Sequence, residues 1–270
     1  MNPFNQKRTS IFISAFLFFL LACSTTFSVG IPTPTVLVST VTAVPTTVPL
    51  ISQQVTLVSV PFNETNPGNN FPTYTITSQT PQLTGSDDPR VLAFNQRVND
   101  LVAKEVDMWR QSFQQLPITP NSNGSSLAVT YTPSSVMRDL WSLKFDFAFY
   151  ADSAAHPGLN SITLNYDLGQ GKELSLADLF LPNSNYLEVI SNYCITELSK
   201  QPFFDGPFTD GAKPTIENYR NWTLSPDGVT IIFDTYQVAP GAAGPQQVVI
   251  PFSELAAIID PQGPLAGLMP

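Results

Sequence analysis

Leu140-Trp141-Ser142-Leu143-Lys144-Phe145-Asp146-Phe147-Ala148-Phe149-Tyr150 is the stretch on which the fold turns. Leu143, Phe145, Phe147 and Phe149 alternate with Lys144, Asp146 and Ala148, the period of two that places successive side chains on opposite faces of a strand. One face is aromatic and has to be covered, while the other is polar. Upstream, Ser126 to Thr132 reads as a neighbouring strand. Downstream, Ser161 to Leu168 reads as another, with Ile162, Leu164 and Tyr166 on one face, reached through a His156-Pro157-Gly158 loop.

A helix is available to cover the aromatic face. Gly85-Ser86-Asp87-Asp88-Pro89 supplies turn and N-cap chemistry, and the spacing predicts a long helix from about Arg90 to Gln115. Val91, Phe94, Val98, Leu101, Val102, Val106, Trp109 and Phe113 form its apolar stripe. Before it, Phe71 to Thr77 alternates as a half-buried strand.

Further along, the Gly169-Gln170-Gly171-Lys172 turn leads into Glu173 to Phe180. A second helix is expected from about Asn185 to Lys200, with Leu187, Ile190, Cys194 and Leu198 on one face. Tyr219 to Leu224 and Val229 to Tyr236 read as a hairpin around Ser225-Pro226-Asp227-Gly228, where Pro226 presets the turn and Gly228 is expected to take positive φ. Gln246 to Ile250 is a further strand and Pro251 to Ile259 a short closing helix. Strands and helices are segregated, so the expected class is α+β. It would have a largely antiparallel sheet, a long N-terminal helix and a second helix packed on it.

The N-terminal region reads differently. Lys7 and Arg8 precede a twelve-residue apolar run, Ile11 to Ala22, that ends in Leu20-Leu21-Ala22-Cys23. This is the pattern of a bacterial lipoprotein signal over residues 1–22, with Cys23 as the lipid attachment site. A spanning helix needs about 20 apolar residues, more than this run offers. Residues 23–60, rich in Thr, Val, Ser and Pro, read as a tether reaching roughly 100 Å at about 3.1 Å per residue. Within it, Val55 to Val60 is the segment with the best claim to join the folded domain as a strand. Residues 261–270 are left as a tail. The expected address is export and lipid anchoring on the extracytoplasmic side of a bacterial membrane.

The chain holds 12 basic and 21 acidic side chains, a formal charge of −9. Loss of Lys7 and Arg8 with the signal leaves 10 basic against 21 acidic, or −11. Such a surface repels nucleic acid and attracts cationic partners. Once Cys23 carries lipid, Cys194 has no disulfide partner. It is expected to be a buried, inert thiol, because no basic neighbour lowers its pKa.

The signatures of common enzyme classes are missing. A single histidine, His156, rules out a site with several His ligands. No G-x-S-x-G, S-x-x-K or G-x-x-x-x-G-K-[ST] motif occurs. Asp146, Asp152, Glu173, Asp178, Asp234 and Glu254 form the pool from which a glycosidase-like carboxylate pair would be drawn. No motif selects two of them. The expectation is therefore no enzyme, no catalytic residue, no metal and no cofactor, with a carboxylate-dependent cell-wall hydrolase as the alternative.

Three segments together carry a resemblance. Tyr166-Asp167-Leu168 with Gly171-Lys172-Glu173-Leu174-Ser175-Leu176-Ala177-Asp178-Leu179-Phe180, then Leu224 to Gly228 and Phe233, then Tyr236 to Gly244 and Val249 to Leu255, resemble the extracellular domain of the anti-sigma factor RsiV. Tyr74 to Phe113 is similar to the companion domain shared by RsiV and the peptidoglycan deacetylase PdaC, and the MPT64-like antigens belong to the same broad group. Gly241 departs from the pattern, which has an aromatic residue after the proline. The resemblance implies two cooperating α+β subdomains, here 61–155 and 156–260, and a role in binding. Asp178 is read as a local cap and Leu179 and Phe180 as core.

No cytoplasmic sigma-binding segment precedes the apolar run, so direct transcriptional control is not expected. The expected function is a lipid-anchored cell-envelope protein that recognises a cell-wall glycan or a protein, including a lysozyme-like cation. The ligand-binding face is placed at Tyr236, Gln237, Pro240 and Gly244, where Gly and Pro expose backbone and Tyr236 offers ring area with a polar tip, together with His156.

Overall fold

The computed structural model describes residues 49–67, 72–120, 122–204 and 206–268. The signal, Cys23 and tether residues 24–48 lie outside them. Among the described residues no helix is long and apolar enough to cross a membrane.

In chain order the elements are β1 (Thr56–Asn66), β2 (Tyr74–Thr84), α1 (Pro89–Gln114), β3 (Ser125–Met137), β4 (Leu140–Tyr150), β5 (Gly158–Asp167), β6 (Lys172–Glu173), α2 (Tyr186–Leu198), β7 (Trp222–Ser225), β8 (Gly228–Phe233), β9 (Gln246–Pro251) and α3 (Phe252–Leu255). β1 to β6 form one sheet in sequence order. Its pairings are antiparallel except β2 with β3, which run parallel with α1 as the crossover. β7, β8 and β9 form a separate antiparallel sheet. The fold is mixed α+β.

The helix expected at 90–115 is α1. Pro89 occupies its first turn, and the Asp88 side chain accepts from the Arg90 N–H, satisfying a donor that the helix itself cannot. Val91, Phe94, Val98, Leu101, Val102, Val106 and Phe113 are buried against the sheet face that carries Leu143, Phe145 and Phe147. Each such side chain contributes roughly 1.5–3 kcal/mol by leaving water. Trp109 is half-buried and stacks on Phe149, with ring centroids 4.0 Å apart.

Four expectations need correction. β1 begins at Thr56, so the last part of the expected tether is folded. Ile51 is buried, the Ser52 N–H donates to Asp139 Oδ1 at 2.8 Å, and Trp141 Nε1 donates to Ser52 Oγ at 2.8 Å. Second, one expected sheet is two, and α2 packs on β9 of the smaller sheet rather than on the larger. Third, Gly228 does not take positive φ. It is glycine because a Cβ there would sit 2.0 Å from the Ile250 carbonyl oxygen on β9. Fourth, the closing helix is only Phe252–Leu255, after which Ile259 bridges back to Phe180.

The second sheet exists because the far face of the first is polar. Ser142, Ser161, Thr163 and Asn165 project there, and β7 lies across them. One edge of β7 pairs with β8, and the other is satisfied by these side chains. Trp222 N donates to Thr163 Oγ1 (3.0 Å), Asn165 Nδ2 to Trp222 O (2.7 Å), Leu224 N to Ser142 Oγ (2.9 Å) and Ser135 Oγ to Leu224 O (2.6 Å). Ser142 Oγ donates to Asn165 Oδ1 at 2.5 Å, which closes the network. Buried backbone groups are thereby paired without a seventh strand.

Two apolar cores flank this seam. One joins α1 to the first sheet and ends with Leu168, and the other runs from Leu174 to Leu265 and includes Leu140. Packing thus divides after Leu168, because β5 belongs to the six-stranded sheet, whereas the division expected from sequence falls between residues 155 and 156. The two ends of the described chain meet: Leu50, Pro264 and Leu268 line one hollow of about 200 Å³ beside Arg138 and Asp139.

Candidate functional site

A cleft of about 530 Å³ opens where the end of β4, the start of β5 and the loops on either side of residue 240 come together. Small-molecule sites typically measure about 300–1,000 Å³. Ala148 and Phe149 come from β4, His156 to Asn160 from the following loop and β5, and Thr235, Tyr236, Gly241 and Pro245 from the second half of the chain.

Two aromatic rings shape it, each lying over a glycine. Phe149 pairs with Gly158 across β4 and β5, and a Cβ at 158 would lie 2.2 Å from the ring. The ring is backed by Trp109. Tyr236 lies over Gly241, where a Cβ would come 2.2 Å from Cζ. The departure from the family pattern at Gly241 therefore has a physical counterpart, since Tyr236 fills the space that a side chain at 241 would need.

Tyr236 is held by its turn. Gln237 N donates to Asp234 O at 3.0 Å, and Tyr236 has φ +70 at the third position, where glycine is favoured. Its side chain is 61% exposed. Gln237 locks the turn from below: its Oε1 accepts from Asp234 N, and its Nε2 donates to the carbonyls of Gly211 and Asn218, each at 2.9 Å. Buried Val238 and Ala239 then anchor the segment leading to Pro240.

The structure therefore brings Tyr236 and His156 together, although 80 positions separate them in the chain. Gln237, Pro240 and Gly244 do not line the cleft. Gln237 positions the turn, Pro240 caps the short 3₁₀ turn Gly241–Ala243, and Gly244 ends that turn at φ +69. Sequence reasoning missed Phe149, Asn160 and Thr235. The register signal for the first was present, because a glycine opposite an aromatic on the neighbouring strand leaves room for the ring.

None of the residues lining the cleft is Asp, Glu, Lys or Arg. The carboxylates of the candidate pool are engaged elsewhere. Asp146 pairs with Lys144 and accepts from Ser161 Oγ at 2.7 Å, and Asp234 pairs with Arg220. Glu173 takes a bidentate contact from Arg97 at 2.5 and 3.0 Å. Asp152 accepts from Ser122 Oγ at 2.6 Å, which lowers its pKa.

Asp178 accepts from Ser175 N at 2.7 Å, the local cap read from the sequence, and pairs with Lys172 at 2.8 Å. Burial pushes the Asp178 carboxyl up, but the bonds from Lys172 and Ser175 outweigh this and leave it lowered. Glu254 is exposed on α3. Cys194 is fully buried in α2, and burial pushes its thiol up to about 12. Among the described residues no group of three His, Cys, Asp or Glu side chains is placed to hold a metal ion.

Comparison with known proteins gives consistent findings. The family described as "Protein of unknown function (DUF3298)" matches residues 177–253, within the second core. The peptidoglycan-N-acetylmuramic acid deacetylase PdaC of Bacillus subtilis is 28% identical over 162 residues, covering 59% of this chain and 34% of that protein. The immunogenic protein MPT64 of Mycobacterium tuberculosis is 28% identical over 104 residues, covering 38% of this chain and 46% of the relative.

This chain thus spans between a third and a half of the length of these relatives. A DUF3298 family member from Bacteroides fragilis superimposes with a TM-score of 0.55 at 18% identity, over 79% of this chain and 96% of that one. A DUF3298 family protein from Pseudomonas aeruginosa gives 0.54 at 17%, over 77% and 95%. The solved structures share the fold, and the DUF3298 match is confined to residues 177–253.

Proposed function

We propose that this protein is a non-enzymatic binding module of the bacterial cell envelope, exported and held at the membrane by lipid on Cys23. Its partner is a cell-wall glycan or a cationic wall-degrading protein of lysozyme type, which is the RsiV-like reading. The observation that carries the proposal is the cleft. It is open, built from both halves of the fold and aromatic, whereas the buried or paired carboxylates that a hydrolase would use are committed to Lys144, Arg97, Lys172 and Arg220. PdaC, a relative whose name states action on peptidoglycan, supports the choice of compartment and partner class.

The test is capture from cell-wall fragments and from cationic muramidases, repeated at low and high salt. Saturable capture without turnover is the expected result. Release of sugar or peptide products, lost on Asp146→Asn or Asp234→Asn in protein that still melts normally, would replace the binding module with a hydrolase.

A further inference from the structure

We infer that the cleft bounded by Phe149 and Tyr236 is a saccharide site that takes an uncharged, N-acylated sugar ring. The inference rests on the reading of this cleft as the binding face and adds the chemical class of its occupant.

Three observations lead there. The lining carries no Asp, Glu, Lys or Arg, in a chain of net charge −9, so neither an anion nor a cation finds a permanent counter-charge within it. The apolar surface is supplied by the largely exposed Tyr236 ring, seated on Gly241, and by Phe149, held between Gly158 and the stacked Trp109, an arrangement that presents flat area rather than a deep pocket for an alkyl side chain. At the fringe, Asn160, Thr235 and the Tyr236 hydroxyl offer uncharged donors and acceptors.

A purely apolar occupant would strip water from those groups and return nothing. A pyranose has an apolar C–H face for the rings and hydroxyls for the fringe. An acetamido substituent adds a methyl group and a neutral donor–acceptor pair, whereas a free amine adds a charge that the lining cannot meet.

The Tyr236 backbone points the same way. A tyrosine held at φ +70 is strained, and strain of this kind collects at ligand sites. The three hydrogen bonds of the Gln237 side chain keep the turn in place.

The experiment is titration of the full chain with β-1,4-linked N-acetylglucosamine oligomers and with the corresponding glucosamine oligomers, at low and high salt, followed by calorimetry. The N-acetylated oligomers should bind saturably with little salt dependence. Affinity should fall roughly tenfold, equivalent to about 1.4 kcal/mol, in Tyr236→Ala and in Asn160→Ala, and be largely kept in Tyr236→Phe. Thermal melts identify any variant that has lost its fold, and the two separate positions keep the test decisive if one fails.

Unaltered affinity in both alanine variants overturns the inference. So does preference for the free amine, or no binding of neutral sugar by a protein that still captures a muramidase; in that last case the binding module stands and only its ligand class is wrong. Failure to capture any wall component overturns both.

Discussion

Replacing Asn165 by Ala tests how the two halves are joined. Asn165 is 3% exposed, donates to the Trp222 carbonyl at 2.7 Å and accepts from Ser142 Oγ at 2.5 Å, while Ser142 Oγ in turn accepts from Leu224 N. The substitution leaves the Trp222 carbonyl buried without its partner, at a cost of about 1–3 kcal/mol, and removes the acceptor of the Ser142 hydroxyl, worth about 1 kcal/mol more. The expected loss is therefore roughly 2–4 kcal/mol. For a folded region of this size, that lowers Tm by about 4–16 °C, at about 2–4 °C per kcal/mol.

Urea unfolding followed by tryptophan fluorescence measures the loss, because Trp141 lies in the first core and Trp222 in the second. A cycle with Ser142→Ala should be non-additive by more than about 0.5 kcal/mol, since both residues serve one network. A loss below about 0.5 kcal/mol, or an additive cycle, would remove the Ser142–Asn165 network as a cause of the joining of the halves.

Three further outcomes are expected from the geometry. Ser52→Ala, which deprives Trp141 Nε1 of its acceptor, should cost roughly 1–3 kcal/mol by denaturant titration, and a neutral result would return residues 51–53 to the tether. Tyr236→Gly should stabilise the protein by roughly 1 kcal/mol, because glycine relieves the left-handed backbone and the tyrosine side chain is mostly exposed; a lower Tm would contradict the strain assigned to that turn. Asp88 is held at about 2, first by its side-chain bond with Arg90 and then by the Arg90 N–H. Its contribution is present above the ordinary carboxylate value near 4 and is lost as pH falls towards about 2. Asp88→Asn keeps the cap but should flatten the fall of Tm in this acid range. Parallel curves for the two proteins would remove Asp88 as a cause.

The elements with strong periodicity were legible from the chain. α1 and β4 fall within a residue or two of their expected limits, because an eight-residue apolar stripe and an alternating Phe run leave little choice of period. The hairpin at Pro226-Asp227 was legible from turn chemistry. β1 was not, because Thr, Val and Ser without charge read equally as spacer and as edge strand, and the inward contacts of Leu57 with the first core and of Glu64 with Arg110 are long-range.

The second sheet was hidden for a different reason. Ser142, Ser161, Thr163 and Asn165 look like a solvated face until a strand lies across them, and nothing local announces that β7 packs there. At the cleft, the strand expected to reach Tyr236 ends at Phe233 and gives way to the turn that holds Tyr236, whose meeting with Phe149 and His156 is a long-range event. Gln237 looked like a contact residue and is a brace.

The meeting of Leu50 with Pro264 and Leu268 bears on how such a unit is reused in evolution. When a fold enters and leaves at one point, it can be set into a longer polypeptide like a bead on a loop, since the host has only to open one surface connection and the insert need not stretch to bridge two distant ends. Because Ile51 belongs to the first core and Leu265 to the second, a pull applied through both ends reaches the two cores together at this one corner.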